Sequence, residues 1–216
     1  MSNNVEAVLR AGLAELHVSL SDAQVQGLLD YQNLICKWNK VYNLTAVRDP
    51  AEMLTHHLLD SLEAVVPLQK HVQCRGLAAA SLLDVGSGAG LPGVVLAICC
   101  PTMTVHCVDT VAKKAAFVQQ AAVSLKLPRL RGIHARVESL TEPYDVVCSR
   151  AFASLVDFTQ WSIGALAPLG VWMAMKGKHP QAELLALDPA VQVFHVEPLQ
   201  VPGLDAERCL VWMRRA

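Results

Sequence analysis

Gly86, Gly88 and Gly90 alternate with other residues directly after the apolar run Ser81–Val85, in a stretch that closes on Leu91-Pro92-Gly93. Residues without a Cβ let a chain turn tightly and let a ligand approach its backbone. The apolar segment Val94–Cys99 comes next. Strand, glycine turn and helix make the nucleotide-binding corner of an α/β sheet, with helix N–H groups facing the same crevice. A phosphate-cradling loop ends in Gly-Lys-Ser/Thr, whereas Gly93 precedes Val94, and a dinucleotide fingerprint has glycine where Leu91 stands. Asp84 would set a carboxylate beside phosphates; it suits a positively charged ligand better, such as an aminoacyl group or a sulfonium. Asp109 follows Gly90 by 19 residues, about where a ribose-binding acid is expected. Together these residues point to S-adenosylmethionine.

Other constellations carry less. His57, Asp60 and Ser61 fall on one helix face, the residue types of a Ser-His-Asp hydrolase. One helix cannot place such a nucleophile at an oxyanion hole, and no Gly-x-Ser-x-Gly turn exists. Lys37-Trp-Asn-Lys-Val-Tyr-Asn-Leu44 interleaves bases, amides and aromatics, a composition suited to RNA, although Trp38 and Tyr42 serve equally as core anchors. No acid occurs between Thr110 and Val137, where Lys113, Lys114, Lys126, Arg129, Arg131 and Arg136 lie. A chain of net charge −1 can bind phosphates through such a local surface; a solvated helix face is the plainer reading. Lys37, Lys40, Lys113 and Lys114 are the candidate RNA contacts. Seven cysteines without Cys-x-x-Cys spacing read as buried thiols, with no metal site.

The elements that must position these residues follow from periodicity. At 216 residues with 53% apolar and 17% charged content, the chain suits one α/β domain with an extension. Apolar spacing predicts helices from Val5 to His17 and from Ser21, with a capping box to Gln24, to about Asn39. Asp49-Pro50-Ala-Glu52 starts another, carrying Leu54, Leu58, Leu62 and Val65 inward. Residues 1–68 therefore read as a helical extension, 69–80 as a linker and 81–216 as a sheet domain. Strands are expected at Ser81–Val85, Thr104–Asp109, Arg131–Arg136, Tyr144–Arg150 and Gly170–Lys176, with a closing pair at Val191–Leu199 and Arg208–Arg214. Helices are expected at Val111–Leu127 and near Ser154–Leu166. The sheet is mostly parallel, and Gly86–Gly90, Asp109, Val137-Glu138 and Arg150 all fall at strand exits, where ligands bind. No run reaches a membrane span and no signal segment opens the chain, so the expected compartment is the cytoplasm.

At this point the chain resembles a known family, the RsmG (GidB) methyltransferases of bacterial small-subunit ribosomal RNA. The resemblance rests on Trp38–Pro50, His57–Ser61, Asp84–Gly93, Arg136–Glu138, Ser149–Leu155 and Leu199–Arg208, nearly the whole chain in order. It implies a class I methyltransferase fold (Rossmann-like, seven strands) with an N-terminal helical extension, moving methyl from S-adenosylmethionine to N7 of a guanosine in 16S ribosomal RNA. By motif, Gly86 and Leu91 would line the cofactor, Val137 and Glu138 would flank its adenine, and Arg150 would contact cofactor or substrate. Asp109 as the ribose ligand follows from the general fold. The expected partner is 16S rRNA or the small ribosomal subunit, and the expected state a monomer. Cytosine C5 chemistry would ask for a cysteine nucleophile after proline, but Cys148 follows Val147; an adenine amino-methylation motif is also lacking. The alternatives are a small-metabolite methyltransferase and a non-catalytic ribosome-binding module.

Overall fold

The computed structural model describes residues 2–152 and 154–216. Met1, at the start of the expected extension, and Ala153, within the Ser149–Leu155 stretch, lie outside the described residues. The strands are β1 (Ser81–Val85), β2 (Thr104–Asp109), β3 (Leu130–His134), β4 (Tyr144–Ser149), β5 (Leu166–Lys176), β6 (Val191–Leu199) and β7 (Arg208–Arg215). They form one sheet in the order β3-β2-β1-β4-β5-β7-β6. The first five are parallel, and β7 runs antiparallel to both β5 and β6. Strand order reverses between β1 and β4, which opens a crevice at their carboxyl ends.

The helices are α1 (Ser2–Glu15), α2 (Asp22–Tyr42), α3 (Pro50–Met53), α4 (Asp60–Leu62), α5 (Val65–Cys74), α6 (Gly93–Cys99), α7 (Ala112–Ser124), α8 (Leu155–Ser162) and α9 (Gln181–Leu185). A π-helical turn, Leu54–Leu59, joins α3 to α4. Ser21 and Gln24 close the predicted capping box on α2. The Gln24 amide also donates to the carbonyls of Ile98 (2.9 Å) and Cys99 (3.2 Å), tying α2 to the end of α6. Asp49 accepts from the amides of Ala51 and Glu52, with Pro50 in the first turn as expected.

Side chains alternate across the strands, so Leu82 and Leu83 join different cores. One core packs Leu82, Val105, Val146 and Met173 against the amino-terminal helices and α6; Leu28, Ile35, Leu58 and Leu62 are fully buried there. The other packs Leu83, Val147 and Trp172 against Leu155 and Phe158 of α8. The helical extension is thus one layer over the sheet.

Several boundaries differ from expectation. α5 runs to Cys74, taking the first half of the expected 69–80 linker, because Leu68 is buried and His71 stacks on Trp212 at 5.0 Å. α2 continues to Tyr42 and stops where Asn43 takes a left-handed conformation (φ 48°). β3 ends at His134 and β5 starts at Leu166. The seven cysteines are all free and five are buried. Among the described residues no His/Cys/Asp/Glu cluster is placed to hold a metal, and no helix is long and apolar enough to cross a membrane.

Candidate active site

Gly86 leaves β1 with φ +66°, a conformation that favours glycine, and the turn folds back so that its amide donates to the Val108 carbonyl (2.9 Å). Gly88 (φ +60°) donates its amide to Asp109 Oδ2 at 3.0 Å. The other Asp109 oxygen accepts from Val111 N at 2.8 Å, so this carboxylate braces both the glycine turn and the start of α7. Tyr31 of α2, fully buried, donates its hydroxyl to the Ala89 carbonyl and holds the turn from the opposite side. Ser149 Oγ donates to Val85 O at 2.9 Å, pinning the ends of β1 and β4 together.

These ends enclose a cavity of about 370 Å³, within the usual range for small-ligand sites. Gly86, Val108, Asp109, Val137 and Glu138 contribute to its walls. Val137 and Glu138 lie in a 3₁₀ turn after β3; the Glu138 carboxyl is held below its usual range first by its own backbone amide and then by Arg136. Two further walls are not among the expected site residues: Phe152, inside the Ser149–Leu155 stretch, and Trp161, outside every motif, edge-to-face with centroids 5.5 Å apart. Phe152 lies in a loop and Trp161 at the far end of α8, so no periodicity linked them. The walls fit a nucleoside. Asp109 keeps spare acceptor capacity for a pentose diol, while Val108, Val137, Phe152 and Trp161 offer apolar and aromatic faces to a purine. A Cβ on Gly86 would stand 3.6 Å from the Phe152 ring.

Other expected residues lie elsewhere. Leu91 is outside this cavity; it is 5% exposed and packs in the core under the turn, because the turn directs its side chain inward. Asp84 is fully buried and accepts from the Gly93 amide at 2.8 Å, so it holds the first turn of α6 and does not face a cationic ligand. Arg150 stands just beyond β4 in a neighbouring cleft of about 310 Å³ that shares Ala151 with the cavity. Its Nη1 donates to His56 O and Asp60 Oδ2, both at 2.9 Å. Lys114 belongs to the cavity wall, its Nζ 3.8 Å from Asp109 Oδ2, whereas Lys113 points to solvent. Lys37 sits beside Ser124 and Leu125 at the other end of α7 from Lys113, about 16 Å along the helix. Lys40 is exposed on α2. Trp38 packs on Phe117, and the buried Asn39 bonds Thr45 N and Val47 O, so half of that basic-aromatic stretch is structural.

The hydrolase reading fails on geometry. Asp60 is committed to Arg150 and Arg208, His57 Nε2 meets Thr45 Oγ1 at 2.7 Å, and the buried Ser61 hydroxyl has no partner among the described residues. Burial, aided by the Arg150 charge, pushes the His57 imidazole down to about 4, so it stays neutral near pH 7.

Burial pushes the Asp84 carboxyl up to about 7, against the opposing pull of the Gly93 amide. An unfolded aspartate ionises near pH 4. Between those values the folded chain holds a proton that the unfolded chain has released, so stability falls as pH rises from about 4 through about 7 and then levels. Asp84→Asn keeps an acceptor for Gly93 N without that proton. Its unfolding midpoint should gain on the wild type between about pH 4 and about pH 7 and keep a constant difference above that. Its affinity for S-adenosylmethionine should stay unchanged; a large loss would return the Asp84 charge to the ligand.

Comparison with known proteins shows the family of the chain. Residues 24–211 match the family described as "GidB: rRNA small subunit methyltransferase G". The chain is 70% identical over 210 residues to the "Ribosomal RNA small subunit methyltransferase G" of a Polaromonas species, covering 97% of this chain and 93% of that one. It is 66% identical to the protein of the same name from Polaromonas naphthalenivorans, covering 98% and 96%. Solved structures share the fold. Magnesium protoporphyrin IX methyltransferase from Synechocystis, with bound SAM, superposes with TM-score 0.59 at 12% identity, covering 87% of this chain and 98% of that one. A SAM dependent methyltransferase from Aquifex aeolicus does so with TM-score 0.56 at 16% identity, covering 78% and 99%.

Proposed function

This chain belongs to the GidB family of rRNA small subunit methyltransferases G, and from that premise we propose that it methylates N7 of a guanosine in 16S ribosomal RNA. The chain is an S-adenosylmethionine-dependent rRNA methyltransferase. The observation that carries the chemistry is the convergence of Gly86, Asp109, Val137 and Glu138 on one cavity at the strand ends. We assign Asp109 to the ribose, the walls of Val137, Phe152 and Trp161 to the adenine, and Arg150 to the mouth where cofactor and target nucleotide meet. Acting as a monomer in the cytoplasm is part of the same proposal, as is the helical extension serving as the platform that holds the glycine turn.

The bound cofactor supplies an electrophilic methyl on a sulfonium. N7 of guanine carries an exposed lone pair and gives up no proton when it attacks, so no general base is called for. The chain's residues hold, orient and desolvate: Tyr31 and Asp109 fix the glycine turn, and Asp60 fixes Arg150. Orientation of this kind can supply roughly 7–11 kcal/mol of a barrier. Arg150 faces a carboxylate, which keeps its charge from opposing the positive charge that develops on the purine.

The decisive experiment is methyl transfer from labelled S-adenosylmethionine to 16S RNA and small subunits lacking this modification, mapped by the chain cleavage that N7-methylguanosine permits. One cleavage site establishes the reaction; cofactor binding without incorporation points to a small-molecule substrate. The lysines separate two surfaces. Lys114→Ala should weaken cofactor binding by up to about fivefold, the size of a partly exposed ion pair. Lys113→Ala should leave it unchanged and lower the salt slope of RNA binding by about one. Equal effects of the two would remove the distinction.

A further inference from the structure

We infer that the cleft walled by His56, Lys176 and Arg208 binds a phosphate of the RNA chain beside the target nucleotide, with Asp60 linking that contact to Arg150 at the cofactor; this rests on the proposed RNA substrate. The cleft, about 310 Å³, draws on three distant parts of the sequence: the π-helical turn, the end of β5 and the start of β7. Lys176 pairs in register with Cys209, which brings Lys176 and Arg208 together at the sheet edge. π-helical turns inside helices recur at functional sites. Here the turn presents His56 O to Arg150 and leads into Asp60.

Asp60 is 4% exposed and divides its oxygens: Oδ2 lies 2.9 Å from Arg150 Nη1, and Oδ1 lies 2.7 Å from Arg208 Nε. Two guanidiniums on one carboxylate leave a net positive charge. Arg208 Nη1 donates to Glu207 O, and among the described residues no acceptor pairs with its Nη2. A rigid guanidinium with a free donor is suited to a phosphate oxygen. Lys176, held by Glu183 at 2.9 Å, stands on the same wall.

The surroundings set the direction of the chain. Ala151 is common to this cleft and the cofactor cavity, so a nucleotide held by its phosphate here has its base next to the methyl donor. Beyond Arg208 lies a cavity of about 910 Å³ whose walls include Glu15, Asp205 and Glu207. Those acids repel a phosphodiester chain, so the anion site ends at Arg208.

The test measures wild-type protein, Arg208→Gln, Arg208→Lys and Lys176→Gln against small subunits lacking the modification, across a salt titration. Calorimetry measures S-adenosylmethionine in parallel. Arg208→Gln is expected to bind subunits about tenfold more weakly, as for one lost charge-assisted hydrogen bond, with a salt slope smaller by about one. Its affinity for S-adenosylmethionine should be unchanged, and Arg208→Lys should restore the slope. Lys176→Gln leaves both Asp60 ion pairs in place, so a smaller slope there cannot come from a disturbed Asp60. Unchanged subunit affinity in both glutamine variants, or a loss confined to S-adenosylmethionine, overturns the site. Wild-type protein that fails to bind subunits overturns it as well. Wild-type protein that binds subunits but transfers no methyl overturns the proposed reaction instead, and the salt slopes then still decide the phosphate site.

Discussion

Gly86→Asp is expected to abolish methyl transfer, by at least two orders of magnitude, in a protein that still folds. The left-handed conformation at Gly86 (φ +66°) costs an ordinary residue roughly 1–2 kcal/mol, against a domain stability of about 5–15 kcal/mol. The new Cβ would meet Phe152 at 3.6 Å, an ordinary contact, so the fold accommodates it. The carboxylate, however, projects into the 370 Å³ cavity close to Asp109, taking the space and repelling the acid assigned to the ribose. Calorimetry should show no binding of S-adenosylmethionine, and the melting temperature should fall by only a few degrees. Gly76→Ala is the control for strain. Its φ is +65°, no atom lies within 4 Å of its Cβ, and it follows α5 outside the walls of either cleft. It should lose similar stability and keep its turnover. Unimpaired transfer in Gly86→Asp would remove the cavity as the cofactor site.

Arg150→Ala is expected to cut methyl transfer at least a hundredfold with the fold retained. The side chain is largely enclosed and makes two bonds at 2.9 Å, to His56 O and to Asp60. Removing it opens the mouth between the two clefts and lets water in where orientation has to be tight. Asp60 keeps Arg208 as its partner, so the stability loss should be smaller than the about 3–5 kcal/mol of a fully broken buried pair. Arg150→Lys should recover little activity, because one ammonium nitrogen can take over the two bonds that Nη1 makes but brings no second nitrogen to meet cofactor or target nucleotide, as the rest of the guanidinium does. Full activity in Arg150→Ala would remove this residue from the site.

Much of this protein is written in local chemistry. Alternating glycines after an apolar run determine the turn, since only glycine takes φ near +60° without cost, and β1, β2 and β6 lie where their apolar patterns end. Ser21, Asp49 and Pro50 determine helix starts because caps act within three residues. Gly86, Asp109, Val137 and Glu138 share one edge because every parallel strand delivers its exit there.

What lies beyond the sequence is wherever the direction of a side chain, and not its position along the chain, decides its role. Leu91 and Gly86 belong to the same motif, yet one packs inward and the other faces the cavity. Asp84 and Asp109 are both acids at strand ends, but burial under the turn makes the first a helix anchor and leaves the second in the cavity wall. Lys113 and Lys114 are neighbours that one helical step, about 100°, sends to solvent and to the cavity. The Arg150–Asp60–Arg208 cluster joins residues 90 and 148 positions apart, and no local pattern can encode a meeting that only the packing of the helical layer against the sheet edge brings about.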